Sequence, residues 1–266
     1  VSARVATVLD RILAETREEV ERRKRECPPP AQPPERVAGG RGFRDALAGE
    51  RIGVIAEFKR RSPSAGTLHG RPRLEEILGA YERGGALAVS VLTEGPNFGG
   101  SLEDLRGARR ACALPLLRKD FIVDPYQLHE AVAAGADAVL LIVAALPQPD
   151  LASLHGAARA LGLDVLVEVH DREELARALE LGAEIVGVNN RDLRDFSVEV
   201  GRTETLMSGI PDGVIVVSES GIVAAEQVRR LHDRGVRAVL VGESLMRAKD
   251  PAAAVRALTT WDRDII

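Results

Sequence analysis

Gly135-Ala136-Asp137-Ala138-Val139-Leu140-Leu141-Ile142-Val143 is the stretch from which the fold can be read. Its apolar run has no clean polar alternation, which suits a strand covered on both faces. The glycine in front suits a helix end, where φ turns positive before the chain re-enters a sheet. The same device recurs on both sides of it, at Gly85-Ala86, Gly182-Ala183 and Gly235-Val236. The apolar runs are Gly53–Phe58, Leu87–Leu92, Pro115–Arg118, Ala138–Val143, Asp164–Val169, Ile185–Val188, Val214–Ser218 and Ala238–Val241. Amphipathic helical stretches separate them. About eight strand-then-helix units over some 215 residues is the count and length of a (β/α)8 barrel. A doubly wound sheet shares the alternation but has fewer strands and a switch point. The expected fold is therefore an α/β chain forming a (β/α)8 TIM barrel.

Ahead of the first run, Val5, Val8, Leu9, Ile12 and Leu13 recur at helical spacing with Arg and Glu between them. That stripe predicts an amphipathic helix to about Lys24. Pro28-Pro29-Pro30 and Pro33-Pro34 then stop it, because proline lacks the amide donor and restricts its predecessor. A short helix from Phe43 to Leu47 is expected to lead into the first strand. Residues 1–50 read as a helical extension on a barrel of residues 51–266, one domain in all.

Hydrophobic residues make up 45% and charged residues 29% of the 266, with a net charge of −4. The mixture suits a soluble enzyme and argues against long nucleic acid as a partner, while leaving room for a local positive pocket. Cys27 and Cys112 lie far apart, so free thiols in a reducing compartment are expected. No apolar run approaches the roughly 20 residues that cross a bilayer, so no membrane partner is expected. Val1 to Arg25 is too rich in acids and bases for a secretory signal, which makes the cytoplasm the expected location. The five histidines show no metal-ligand spacing, so no metal is expected. There is no Walker-type loop, no G-x-G-x-x-G after the first strand and no nucleophile elbow. A monomer is the starting expectation.

Barrel enzymes collect their chemistry at the C-terminal ends of the strands. Read in order, those ends give Glu57 and Lys59, Thr93 and Glu94, Lys119 and Asp120, then Glu168. Asn189, Asn190 and Arg191 follow, then Glu219 and Ser220, then Gly242 and Glu243. A carboxylate inside a doubly covered strand is costly, which singles out Glu57 and Glu168. Each taken alone could be a structural ion pair. Their convergence on one mouth favours an active site. A lysine among carboxylates in a partly dry pocket can keep its proton and donate it to a developing oxyanion. A loop lysine paired with Asp120, or a Schiff-base lysine, is the alternative for Lys119.

Ser220-Gly221 after strand seven and Gly242 before a short turn at Glu243-Ser244-Leu245-Met246 suggest an anion site. Barrels often hold phosphate between these two loops. Glu243 would then point outward while its amide binds. Arg60-Arg61-Ser62-Pro63-Ser64 reads as a solvated basic turn or a loop that closes over substrate. Aromatics are only 3% of the chain, so Phe98 and Phe121, just past strands two and three, suit an apolar wall for a flat ring.

Ile55-Ala56-Glu57-Phe58-Lys59-Arg60-Arg61-Ser62-Pro63-Ser64 closely resembles the first-strand signature of the indole-3-glycerol-phosphate synthase family. So do Ser90-Val91-Leu92-Thr93-Glu94 with Phe98-Gly99-Gly100-Ser101, and Leu117-Arg118-Lys119-Asp120-Phe121-Ile122. Val167-Glu168-Val169-His170, Gly187-Val188-Asn189-Asn190-Arg191-Asp192-Leu193, Ser218-Glu219-Ser220-Gly221-Ile222 and Gly242-Glu243-Ser244-Leu245-Met246 continue the match in order. The resemblance implies a cofactor-free step of tryptophan biosynthesis. An anthranilate-bearing deoxyribulose phosphate is cyclised with loss of CO₂ and water. It further implies Lys119 as general acid, Glu168 as acid/base in the dehydration, and Lys59 as a second proton donor. Glu57 and Asn189 would orient Lys119 and the substrate hydroxyls. Arg191 would meet the anthranilate carboxylate, and Phe98 and Phe121 would wall its ring. Ser220, Gly221, Gly242 and Glu243 would hold the phosphate, and Ser62 and Glu219 complete the expected binding set. Phe58 stands where family members often carry Tyr or Val, and Arg71-Pro72 is more basic than usual. Two readings remain open at this point: another barrel enzyme, such as a phosphoribosylanthranilate isomerase-like or Schiff-base aldolase protein, and a non-catalytic sugar-phosphate binder.

Overall fold

A computed structural model describes residues 7–28, 42–62, 66–68, 73–192 and 197–260. Val5, Pro29 to Pro34, Pro63, Ser64, Arg71, Pro72 and Leu193 lie outside the described residues.

The strands are β1 (Gly53–Phe58), β2 (Ala88–Leu92), β3 (Leu116–Lys119) and β4 (Ala138–Ile142). They continue as β5 (Asp164–Val169), β6 (Ile185–Asn189), β7 (Ile215–Glu219) and β8 (Ala238–Val241). Each pairs in parallel with its neighbours, and β1 closes the ring by pairing with both β8 and β2. This is a closed barrel, not a doubly wound sheet. The strands are buried on both faces, as their Val, Ile and Leu content requires. Gly85, Gly135, Gly182 and Gly235, the glycines in front of them, all have positive φ.

The boundaries differ from the sequence reading by a residue at several ends, and the difference matters for the site. Lys119, Asn189 and Glu219 are the last residues of β3, β6 and β7 rather than the first of the loops. Parallel pairing reaches them: Leu92 is in register with Lys119, Ile142 with Glu168 and Asn189 with Glu219. A side chain fixed by a strand ladder is placed more narrowly than one on a loop.

The N-terminal helix runs Val8–Glu26. It starts at a capping box, in which the Thr7 side chain accepts from Asp10 N while the Asp10 carboxylate accepts from Thr7 N. Leu9, Ile12, Leu13 and Val20 form its buried stripe, each such side chain contributing roughly 1.5–3 kcal/mol by leaving water. The first three, with Phe43 and Leu47 of the short helix Phe43–Leu47, belong to the same hydrophobic core as the barrel. Polar clamps add direction. Lys24 pairs with Asp124 at 2.6 Å and Arg23 with Glu130 at 3.3 Å, both at the helix Pro125–Ala134 that follows β3.

Candidate active site

At the C-terminal mouth of the barrel lies a cavity of about 470 Å³. Every residue singled out above as catalytic or substrate-binding lines it, from Glu57, Lys59 and Ser62 to Gly242 and Glu243. Of the other strand-end residues, Asp120 joins them, whereas Thr93, Glu94 and Asn190 turn away. Asn190 instead donates to Ser218 Oγ at 3.2 Å and accepts from Thr203 Oγ at 3.0 Å behind the sheet.

Lys119 forms the floor. Its Nζ lies 3.2 Å from Glu168 Oε2 and 3.3 Å from Glu219 Oε2. Asp120, the partner expected for a loop lysine, is taken by Arg118 at 2.9 Å. Glu57 pairs with Lys59 at 2.7 Å, so the carboxylates in direct contact with Lys119 are Glu168 and Glu219. Two glycines make room for these glutamates. A Cβ on Gly187 would overlap Glu219 Oε1, and one on Gly242 would overlap Glu57 Oε1.

Burial opposes charge on Lys119, but the carboxylates of Glu168, Glu219 and Glu57 outweigh it and hold the ammonium well above the usual lysine range. The two glutamates then part company. Burial works against the Glu168 anion, yet Lys119, His170 and the Asn189 side chain keep it below the usual carboxylate range. Glu219 is pushed up to about 8 by burial and by the neighbouring Glu168 charge, with Lys119 pulling only partly the other way. The two carboxyls beside one ammonium are thus pushed in opposite directions, Glu168 toward the anion and Glu219 toward the acid.

Phe98 and Phe121 pack against one another in the cavity lining, with ring centroids 6.3 Å apart and planes inclined by 40°. Glu94 builds the turn that carries Phe98, accepting from Asn97 N and Phe98 N, both at 2.8 Å. The loop after β1 is tied to this turn. Arg61 donates to the carbonyls of Pro96 and Asn97, and Arg60 forms a forked pair with Asp104. The basic segment is therefore neither free nor merely solvated: Arg61–Ser62 pairs antiparallel with Gly66–Thr67 in a small hairpin, and Ser62 is buried against the cavity.

The loops after β7 and β8 line the cavity as well. Ser220 and Gly221 both have positive φ, at 65° and 77°, Ser220 being the one non-glycine of this kind among the described residues. Gly242 is the N-cap of the turn of helix Glu243–Arg247. The Glu243 side chain pairs with Arg247 at 3.3 Å. Arg247 also lines the cavity, and no reading of the sequence singled it out. Its spacing of four from Glu243 was the available signal. Arg191 lines the same cavity and its N–H donates to Asn189 Oδ1 at 3.0 Å. The cavity so combines an ammonium flanked by carboxylates, two aromatic rings, and Arg191 and Arg247 with the loop residues Ser220, Gly221 and Gly242. Among the described residues no group of three or more His, Cys, Asp or Glu side chains is arranged to hold a metal ion. None of their helices is long and apolar enough to cross a membrane.

A sequence model of the family described as indole-3-glycerol phosphate synthase matches residues 9–258. Indole-3-glycerol phosphate synthase 2 of Streptomyces coelicolor is 52% identical, the match covering 82% of this chain and 84% of that protein. Indole-3-glycerol phosphate synthase of Mycobacterium ulcerans is 46% identical over 96% of this chain and 94% of that one. Among solved structures, thiamine phosphate pyrophosphorylase from Pyrococcus furiosus superposes with a TM-score of 0.58 at 20% identity, covering 81% of this chain and 95% of that chain. A variant tryptophan synthase α-subunit from the same organism also scores 0.58, at 16% identity, covering 77% and 97%. These two likenesses establish the barrel alone.

Proposed function

The chain belongs to the indole-3-glycerol phosphate synthase family, carboxy-lyases of tryptophan biosynthesis, and from that premise we propose how its own side chains carry the reaction. The substrate is 1-(2-carboxyphenylamino)-1-deoxyribulose 5-phosphate. The ring carbon bearing the carboxylate attacks the ketone, and the Lys119 ammonium gives its proton to the ketone oxygen as charge develops there. Nitrogen is left as an iminium. Breaking the carboxylate bond returns electrons to it, and CO₂ leaves. Dehydration then takes the new hydroxyl from one carbon and a proton from the adjacent methylene. Glu168, held ionised in the resting site, receives the methylene proton and passes it to the departing oxygen. Lys59, backed by Glu57 at 2.7 Å, is a second donor to that oxygen.

Binding follows the polarity of the cavity. Arg191 meets the anthranilate carboxylate, Phe98 and Phe121 wall its ring, and Ser62 borders the same end. Ser220, Gly221, Gly242 and the Glu243 amide grip the phosphate, with Arg247 adding charge. Glu219 and Asn189 orient Lys119 and Glu168. We read the chain as one domain acting as a monomer in the cytoplasm, with no cofactor, because the steps need only proton transfers and loss of CO₂, which the side chains of this one mouth can serve. The observation that carries this reading is the position of Lys119, between two buried carboxylates in a cavity that Ser220, Gly221 and Gly242 also line.

The test is to add the substrate and follow indole fluorescence. A rise at catalytic enzyme concentration is expected, and its absence overturns the reading. Borohydride added during turnover is expected to leave Lys119 unmodified. A reduced adduct on that lysine would replace acid catalysis by Schiff-base chemistry.

A further inference from the structure

The reaction consumes a proton, and this has a structural consequence. The substrate carboxylate departs as neutral CO₂, so each turnover removes one negative charge and takes one proton from the protein. In the scheme above that proton comes from Lys119, since the methylene proton leaves with the water. Lys119 must be recharged. Its side chain is 15% exposed, and what exposure it has opens on the mouth that substrate fills.

Behind Glu168 lies another way in. His170, one residue past β5, is half-buried, and its Nε2 faces Glu168 Oε1 at 3.5 Å. Neither atom has a hydrogen-bond partner among the described residues. On the other side of the ring, Nδ1 lies 2.9 Å from Glu174 Oε2. His170 and Glu174 line a second cavity, of about 540 Å³, between the start of the N-terminal helix and the loops after β5 and β6. The two cavities share no lining residue, so the imidazole stands between them. The second is roomy and polar enough to admit water.

We propose that His170 is a proton relay connecting the second cavity, through Glu168, to Lys119. The proposal rests on the functional reading above. In the recharging step the His170 imidazolium releases its Nε2 proton to Glu168 Oε1, and Glu168 hands a proton from Oε2 to the Lys119 amine 3.2 Å away. The neutral ring regains a proton from water on the Glu174 side before the next cycle. Burial works against the imidazolium, but Glu174, Glu168 and Glu219 outweigh it and raise its affinity for a proton above that of free histidine. Charged groups sharing the second cavity are mixed in sign. Asp10 comes from the N-terminal helix, and Arg172, Glu173 and Arg177 from the helix after β5. Asp192, Glu199 and Arg202 come from the segment after β6. His170 acts through Glu168, so it is a positioning and relay residue rather than one that touches substrate.

The relay is needed only once the Lys119 proton has been spent and while product still fills the mouth, which gives a readout that a merely structural role would not produce. In His170→Asn the first turnover, which uses the proton already on Lys119, is expected to run within about twofold of the parent rate. Steady-state turnover is expected to fall about tenfold with little change in KM, and added imidazole is expected to restore it. Equal slowing of both phases, an unchanged steady state, or a loss that imidazole leaves uncorrected overturns the proposal. Glu174→Gln, which keeps the imidazole, is measured alongside. The same split in smaller measure is expected, and if the histidine variant does not fold, the presence or absence of that split decides. Turnover by the parent protein tests the functional reading separately, and only the ratio of variant to parent tests the relay.

Discussion

Two buried charge networks meet at β3, back to back. Outside the barrel, Arg118 is wholly buried between the strand and the helix Pro125–Ala134. It donates to Thr93 Oγ1 at 3.1 Å, Asp120 Oδ2 at 2.9 Å, the Gln127 carbonyl at 2.5 Å and Glu130 Oε2 at 3.2 Å. Inside, its neighbour Lys119 faces Glu168 and Glu219, and there Glu168 Oε1 and both Glu219 oxygens lack hydrogen bonds among the described residues. Strand alternation sends adjacent cations to opposite faces. The difference teaches which network is scaffold and which is chemistry. A buried charge with all its partners made holds the fold, while one left partly unsatisfied has capacity for a substrate.

Exchanging the damage between the two sides is the strongest way to break that comparison. Lys119→Ala is expected to lower kcat by about 10³-fold or more with the smaller loss of melting temperature of the two, because Glu168 and Glu219 line a cavity and can take up protons once the ammonium is gone. Arg118→Met is expected to do the reverse. Leaving Asp120 and Glu130 buried without their cation costs about 3–5 kcal/mol, read as a drop of about 10 °C in Tm, with kcat of the folded fraction little changed. Loss of activity with full stability in the Arg118 variant would erase the distinction.

Glu219 sharpens it further through pH. Its carboxyl is raised from 4.5 to about 8 in the folded protein, so the native state holds a proton that the unfolded chain has already lost. Stability from this group is therefore greatest at acid pH and declines as pH climbs from about 5 through 8. His170 adds a decline of the same sign above the ordinary histidine range, while Glu168, shifted downward, acts only in acid below pH 4.5. Thermal melts across pH 5 to 9 are expected to be flatter for Glu219→Gln than for the parent. Parallel curves would show that Glu219 does not retain its proton.

The smallest effect belongs to the rim, where Glu243 and Arg247 form a pair exposed by 40% and 52%. Glu243→Ala is expected to cost about 0.5 kcal/mol or less and to change KM within about twofold, since the proposed phosphate contact is the backbone amide. A large rise in KM would give the side chain a part in binding.

Much of this was legible in the sequence because a strand repeat fixes both the fold and the rim. Once Gly135–Val143 is read as one of about eight units, the residue at each run's end is assigned to a common mouth without any knowledge of pairing. What stayed hidden was direction. Arg118 stands in the same motif as Lys119, and only its helix-side partners distinguish the two. The resemblance gave Glu57 the part of orienting Lys119, and in the structure Lys59 takes its direct contact at 2.7 Å. His170 ends a quoted motif, but its role depends on a cavity formed with the distant N-terminal helix, which no local pattern encodes. Arg60 and Arg61 looked like a solvated turn because their anchors lie after β2.

Gly187 and Gly242 have a practical consequence for redesign of the mouth. Each backbone occupies the volume its glutamate partner leaves, like two halves of a dovetail joint. A library that varies Glu57 or Glu219 alone leaves a notch, and one that varies either glycine alone jams the joint. Gly242 with Glu57, and Gly187 with Glu219, should therefore be varied together, so that the pocket is recut in four linked positions rather than scanned one at a time.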